Sequence, residues 1–295
     1  MTWSQRLRET DWIDVALWLI RAVIIILVVV GIVRKLFFDA GVDYTVDDWL
    51  DFIISGLSQG GLYALIALGY TMVYGVLFMI NFAHGEFFMS GAMTSAVLVG
   101  ATLQASGFLD SQPLISIILL IFVSVLTAMV VSLLTERIAY RPLRRAPRLV
   151  PLITAIGASF FWQNLFRGFF GSAVVPYPVP DALEGRVDIF GVDFLKVRLV
   201  VLGASIVALI GLYLFVQKTK TGKAIRAVAE DKDVATLMGI DVDRTIAMTF
   251  AIGAAMAGIA AVLWGLTFKQ ASFVMGFVPG IKAFTAAVLG GIGSI

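Results

Sequence analysis

Residues 52–104 read FIISGLSQGGLYALIALGYTMVYGVLFMINFAHGEFFMSGAMTSAVLVGATLQ. Two apolar runs, 52–74 and 86–104, each hold about the 20 residues that a helix needs to cross a bilayer core. Gly75–Phe88, which joins them, makes a poor aqueous loop: it has no lysine or arginine, is mostly apolar and is punctuated by glycine. Such a segment reads as irregular backbone held at membrane depth, which is tolerated only where protein buries it or where it lines a wet cavity. Transporters place their pathways at broken helices of this kind. The stretch therefore predicts an all-α, polytopic integral membrane helix bundle with a broken helix near 75–88.

The rest of the chain agrees. Of its 295 residues 60% are hydrophobic and 14% charged, against about 25% charged in soluble domains, and the mean hydropathy is +0.96. Further apolar runs at 15–33, 114–136, 149–170, 197–216 and 245–267 bring the expected total to about seven full spans. A C-terminal partial or re-entrant segment begins near Pro279. The absence of cysteine excludes disulfides and thiolate chemistry. With one histidine, His84, a protein-only zinc or iron site is not expected, and no cofactor is. Val15–Val33 is too long for a cleaved signal and is followed by Arg34-Lys35, so it reads as an uncleaved span.

Charge orders the loops. Arg137–Arg148 carries five arginines and no acid, and Gln217–Arg244 carries six basic residues. Arg34–Asp51 holds five aspartates, and Gly171–Lys196 is acidic and rich in proline and glycine. The positive-inside rule puts both basic loops in the cytoplasm, and span parity with Arg6 and Arg8 places the N-terminus there too. Arg21 reads as a side chain that snorkels to the headgroups. Trp12, Trp49 and Trp264 fall near span ends, where indole prefers the interface.

Asn81, His84 and Glu86 sit in the broken segment. A carboxylate inside a membrane costs on the order of 2.5–3.5 kcal/mol on insertion scales, which suggests a role. Either the three line or gate a polar pathway, or they hydrogen-bond the broken backbone and fix its bend. Gly56-xxx-Gly60 and Ala254-xxx-Gly258 give spans 2 and 7 small-residue faces that allow close helix crossing, expected mainly within the chain.

Gln217–Arg244 is a charged, helix-forming insert between two apolar helices, which reads as a docking surface for a soluble partner. Its TKTGKA looks like a phosphate loop but fails, with Gln217 where the first glycine is needed and Ala224 after the lysine. Any ATP use therefore belongs to another subunit. Ile225, Val228 and Ala229, then Val234, Leu237 and Met238, predict two short amphipathic helices. Asp231 should cap the second and Gly239 end it in the left-handed conformation. Ile225, Val228, Leu237 and Met238 are expected to be exposed, on a membrane surface or in a partner's groove.

GLYALIALGYTMVYGVLFMINFAHGEFF (61–88), RIAYRPLR (137–144), LVPLITAIGASF (149–160), AVAEDKDVATLMGID (227–241) and GFVPGIKAFTAAVLGGIGSI (276–295) closely resemble the LivH-type permeases of bacterial ATP-binding-cassette importers. The resemblance covers about 51–295. It implies a non-enzymatic transmembrane permease subunit in the bacterial inner membrane, translocating branched-chain amino acids delivered by a periplasmic binding protein. The implied partners are a second, homologous permease and two cytosolic ATPases, with no nucleic acid. Ala227, Glu230, Asp231, Ala235, Leu237, Met238 and Gly239 match the family's ATPase-contacting segment. Residues 1–50 form an N-terminal extension with one extra helix, and 51–295 form the permease domain. Members of the family continue through further helices, so that domain is expected to be C-terminally incomplete. A permease for urea or short amides shares the motifs and stays open. An autonomous secondary carrier would need ion-coupling carboxylates, of which the predicted span interiors offer only Glu86.

Overall fold

The computed structural model describes residues 12–37, 45–144, 146–147, 149–189 and 192–293. Arg6 and Arg8 lie outside the described residues, as do Arg145 and Arg148 of the first basic loop. The chain divides into two compact units, Met1–Trp49 and Leu50–Ile295.

The first unit contains helix α1, Trp12–Phe37, in which Arg21 is exposed. Next comes the start of α2, Val46–Leu77. Thr45 and Asp48 cap α2 reciprocally: the Asp48 carboxylate accepts from the Thr45 amide at 2.9 Å, and the Asp48 amide donates to the Thr45 hydroxyl at 3.3 Å. Four of the orphan N–H groups that begin any helix need partners, and this pair supplies one set.

In the second unit, α3 spans His84–Ala105, α4 Pro113–Leu143, α5 Leu149–Phe170, α6 Lys196–Lys218 and α9 Val242–Phe268. Between α6 and α9 lie α7, Lys220–Glu230, and α8, Lys232–Leu237. The last helix, α10, is Phe277–Leu289. Six of the described helices, α2–α6 and α9, are long and apolar enough to cross a membrane. The protein is thus a polytopic helical membrane protein. α1 runs 26 residues across the span expected at 15–33, and α10 is a shorter apolar helix.

Lipid offers no hydrophobic drive between helices, so close backbone approach and hydrogen bonds must hold them. α9 lies along α4 and α3 in this way. A Cβ on Gly258 would stand 2.7 Å from Val125 Cα, and one on Gly91 2.4 Å from Ser124 Oγ. Ser124 and Ser132 of α4 donate to the Gly258 and Phe250 carbonyls of α9, at 2.7 and 3.1 Å. The Trp162 indole N–H donates to Thr135 at 2.8 Å, fixing α5 to α4. α2, α3 and α9 are the most enclosed, whereas α4–α6 leave apolar side chains such as Phe122, Ile153 and Val207 exposed.

Gly258 makes the internal contact expected of it, and on α2 a Cβ on Gly61 would stand 2.9 Å from Ser205 Cβ, whereas Gly56 and Gly60 meet nothing within 4 Å. Trp264, near the end of α9, is half-buried, stacked on Phe268 with ring centroids 4.2 Å apart and edge-on to Phe88 at 5.9 Å.

The loop 171–195 holds short strands where the sequence reading had none. β1, Val175–Pro176, pairs with β4, Gln270–Ala271, and β2, Arg186–Ile189, pairs with β3, Val192–Leu195, both antiparallel. Pro178 from this loop presses on Gly100, where a Cβ would come within 2.3 Å, and the Tyr177 and Ser95 hydroxyls lie 3.0 Å apart. Ser95–Gly100 is the stretch of α3 that widens into a π-turn, as helices do where a neighbour inserts.

Candidate functional site

α2 ends at Leu77, Phe78 turns at φ +54°, and α3 begins only at His84. The irregular backbone of 78–83 is anchored by buried Asn81. Its carbonyl oxygen accepts from the Ala83 amide at 3.0 Å and from the Tyr140 hydroxyl at 2.6 Å. The segment climbs back along α2: the His84 ring lies where a Cβ on Gly69 would be, 2.3 Å from Nε2. Gly69 precedes Leu77 by eight residues, about 12 Å at the helical rise of ~1.5 Å per residue. α3 therefore starts inside the bundle and not at its end.

His84 and Glu86 lie on the first turn of α3 and not in the irregular segment where the sequence reading set them. His84 is packed against Tyr70 and Phe87, ring centroids 4.6 and 5.5 Å away, and neither nitrogen has a hydrogen-bond partner. Glu86 is 1% exposed. Its Oε1 accepts from Ser159 Oγ at 2.9 Å and from Gln163 Nε2 at 2.7 Å, while its Oε2 has no partner. None of the ion pairs among the described residues includes Glu86.

Ser159 and Gln163 come from α5, one turn apart and so on one face of the helix. They were missed from the sequence, although a serine and a glutamine at i and i+4 in an otherwise apolar span were a signal. Glu86, Ser159 and Gln163 form one wall of a cavity of about 620 Å³, within the range of small-molecule sites. Ile156, Phe160, Val278 and Ile281 are among its apolar walls. Glu86 thus reaches the cavity; Asn81 and His84 are not among its walls.

α10 closes another side. A Cβ on Gly276 would lie 2.2 Å from the Gly85 carbonyl oxygen and 3.2 Å from Glu86 Oε2. Only glycines allow the two helix starts to meet this closely. The N-terminus of α10 has no side-chain cap. Lys282 of α10 lies over the Tyr63 ring, 5.7 Å from its centroid.

The second region is the polar corner between α6 and α9. Thr219 caps α7 by accepting from the Gly222 amide at 3.0 Å, and a Cβ on Gly222 would strike the Val216 carbonyl oxygen at 2.3 Å. The glycine of TKTGKA therefore serves a tight helix corner. Asp231 caps α8, accepting from the Asp233 and Val234 amides at 2.8 and 2.9 Å, and Gly239 comes next at φ +80°. Both were legible in the sequence.

Exposure was misread in part. Ile225 and Val228 are fully buried, because α7 lays its apolar face on α6 and α9 of its own bundle. Ala235 is buried and Ala227 half-buried. Glu230, Asp231 and Gly239 are exposed, as are Leu237 at 85% and Met238 at 77%.

Charge ties this corner to the loop after α4. Arg144 pairs with Glu136 and with Asp243, and Asp243 also accepts from Arg141. The Lys232 ammonium lies 5.8 Å from the Phe78 ring centroid. Partial burial, with the Arg144 charge adding to it, holds Lys232 below the usual lysine range. Both basic loops, and the start of the break, therefore meet at one end of the bundle.

Apolar crossing helices around a re-entrant break, with a cavity at its end and a polar corner outside, define a membrane transport subunit. Residues 52–295 match the family described as the branched-chain amino acid transport system permease component, and the chain belongs to that family. It is 42% identical over 250 residues to the high-affinity branched-chain amino acid transport system permease protein BraD of Pseudomonas aeruginosa, covering 84% of this chain and 80% of the relative. The permease protein LivH of Salmonella typhimurium gives the same identity and coverage, and LivH of Escherichia coli K12 is 41% identical over 260 residues. No solved structure matches. The chain is a transport component, not an enzyme.

Proposed function

We propose that this permease translocates branched-chain amino acids, delivered by a periplasmic binding protein, as part of an ATP-driven importer in the bacterial inner membrane. A second, homologous permease completes the pathway, and two cytosolic ATPases drive it. The N-terminus and both basic loops face the cytoplasm, by the charge asymmetry of the loops.

The observation that carries the reading is the α7–α8 corner. It ends in Leu237 and Met238, two apolar side chains left almost bare beside exposed Glu230, Asp231 and Gly239. A groove on one of the two ATPases receives them. Closure of the ATPases on ATP moves the corner, and with it Lys232 and Phe78 at the break. The bundle then swings between outward- and inward-facing states. Asn81 and His84 hold the break in shape, and Glu86 meets the solute. The mostly apolar cavity favours an amino acid with a hydrocarbon side chain over urea or a short amide.

The test is a pull-down of the full-length protein from solubilised native membranes, with the co-purifying proteins identified by mass spectrometry. An ATPase pair and a second permease should be recovered, and the ATPases lost when 221–239 is scrambled. Recovery of the chain alone, competent for uptake in liposomes without ATP, would promote an autonomous carrier.

A further inference from the structure

Glu86 presents a chemical imbalance. An acceptor-only carboxylate inside a membrane bundle is costly unless it is paired. Ser159 and Gln163 satisfy Oε1, while Oε2 is buried with no partner, and none of the described ion pairs neutralises the charge. The helix start on which Glu86 stands favours a negative charge but supplies no counter-ion. A cationic hydrogen-bond donor is what this group lacks.

The surrounding cavity states what else the donor carries. Its walls beyond Glu86, Ser159 and Gln163 are mainly hydrocarbon, including Ile156, Phe160, Val278 and Ile281. The start of α10 adds an uncapped helix N-terminus at Gly276, directly against the Glu86 carboxylate. In that first turn the Phe277 N–H already donates to the Val274 carbonyl at 3.2 Å and Pro279 has none, so what it offers an anion is the Val278 N–H and the partial positive charge of the helix start. A negative pole, a positive pole and an apolar wall thus stand together in one cavity.

We infer that this cavity is a transit site for an amino-acid zwitterion: Glu86, held by Ser159 and Gln163, takes the α-ammonium. The first turn of α10 takes the α-carboxylate, and Ile156, Phe160 and Ile281 take the aliphatic side chain. The Gly276–Gly85 contact covers Oε2 in the present state, so the ammonium gains it when the start of α10 shifts away. Loading of the site is thereby joined to movement of the bundle. The inference rests on the amino-acid reading given above and assigns it a place and an orientation.

The test uses the whole transporter, purified with its partner subunits and reconstituted in liposomes with its binding protein. Uptake of radiolabelled leucine and hydrolysis of ATP are read in parallel. Glu86→Gln keeps the shape and removes the charge; it should lower leucine uptake at least tenfold, with binding-protein-stimulated ATP hydrolysis kept within about twofold. Glu86→Asp should recover part of the loss. Ile156→Trp fills the cavity from its half-open wall, so it tests the site even if Glu86→Gln fails to assemble; it should lower leucine uptake to the same degree while leaving hydrolysis intact. Normal leucine uptake by either Glu86→Gln or Ile156→Trp overturns the transit site and leaves the importer reading standing. A wild-type complex that hydrolyses ATP but moves no leucine overturns the amino-acid reading and the site with it.

Discussion

Asn81 does its work through one oxygen atom, which accepts from a backbone amide two residues ahead and from Tyr140 across the bundle. Asn81→Ala removes both acceptor contacts and leaves two buried donors unpaired, at about 1–3 kcal/mol for each such group. We expect a lower thermal unfolding midpoint in detergent, with Tyr140→Phe closer to wild type because Asn81 keeps its bond to Ala83. Equal stability of Asn81→Ala and wild type would remove Asn81 from the support of the break. The two open readings of Asn81, His84 and Glu86 could not be separated from the sequence. Adjacent letters carried no sign that only Glu86 points to a shared space, since the cavity is completed by α5 and α10, far along the chain. Asp231 and Gly239 were legible because capping is local: both groups that satisfy it lie within a few residues.

Among the elements, the α4–α9 crossing depends on the absence of a side chain at Gly258, where a Cβ would stand 2.7 Å from Val125 Cα. Gly258→Leu overpacks that crossing, which costs about 1–3 kcal/mol or more; the yield of monodisperse protein should fall sharply. Gly56→Leu and Gly60→Leu, at positions with nothing within 4 Å, should leave the isolated chain as stable as before or slightly more so, since leucine favours a helix over glycine by about 0.8 kcal/mol. Size-exclusion profiles compared across the three variants check both claims. The spans themselves were legible, because hydrocarbon length and apolar run length are one constraint. Where the apolar faces go was less so. The periodicity of α7 gave its apolar face correctly, but Ile225 and Val228, expected to be exposed to a membrane surface or a partner, are buried against α6 and α9.

For the whole molecule, the central claim is that a polar corner turns work done by a partner into movement at the break. The structure supplies the contacts: Arg144 bridges Glu136 and Asp243, and Lys232 stands over Phe78. Phe78→Ala takes away that ring and should weaken uptake more than ATP hydrolysis, read in the same reconstituted complex. The charge asymmetry of the loops made the common end of the two basic loops legible in advance, whereas the arginine–carboxylate bridge between them needed three dimensions. The most direct measurement is ATP-driven leucine uptake by the reconstituted complex carrying Gly239→Arg, with hydrolysis monitored alongside. Gly239 stands at φ +80° between the bare side chains of α8 and the start of α9, and a side chain there strains the turn and obstructs the docking face. The account predicts loss of uptake with the membrane fold intact and with hydrolysis no longer answering to the binding protein. Wild-type uptake in that variant would contradict it.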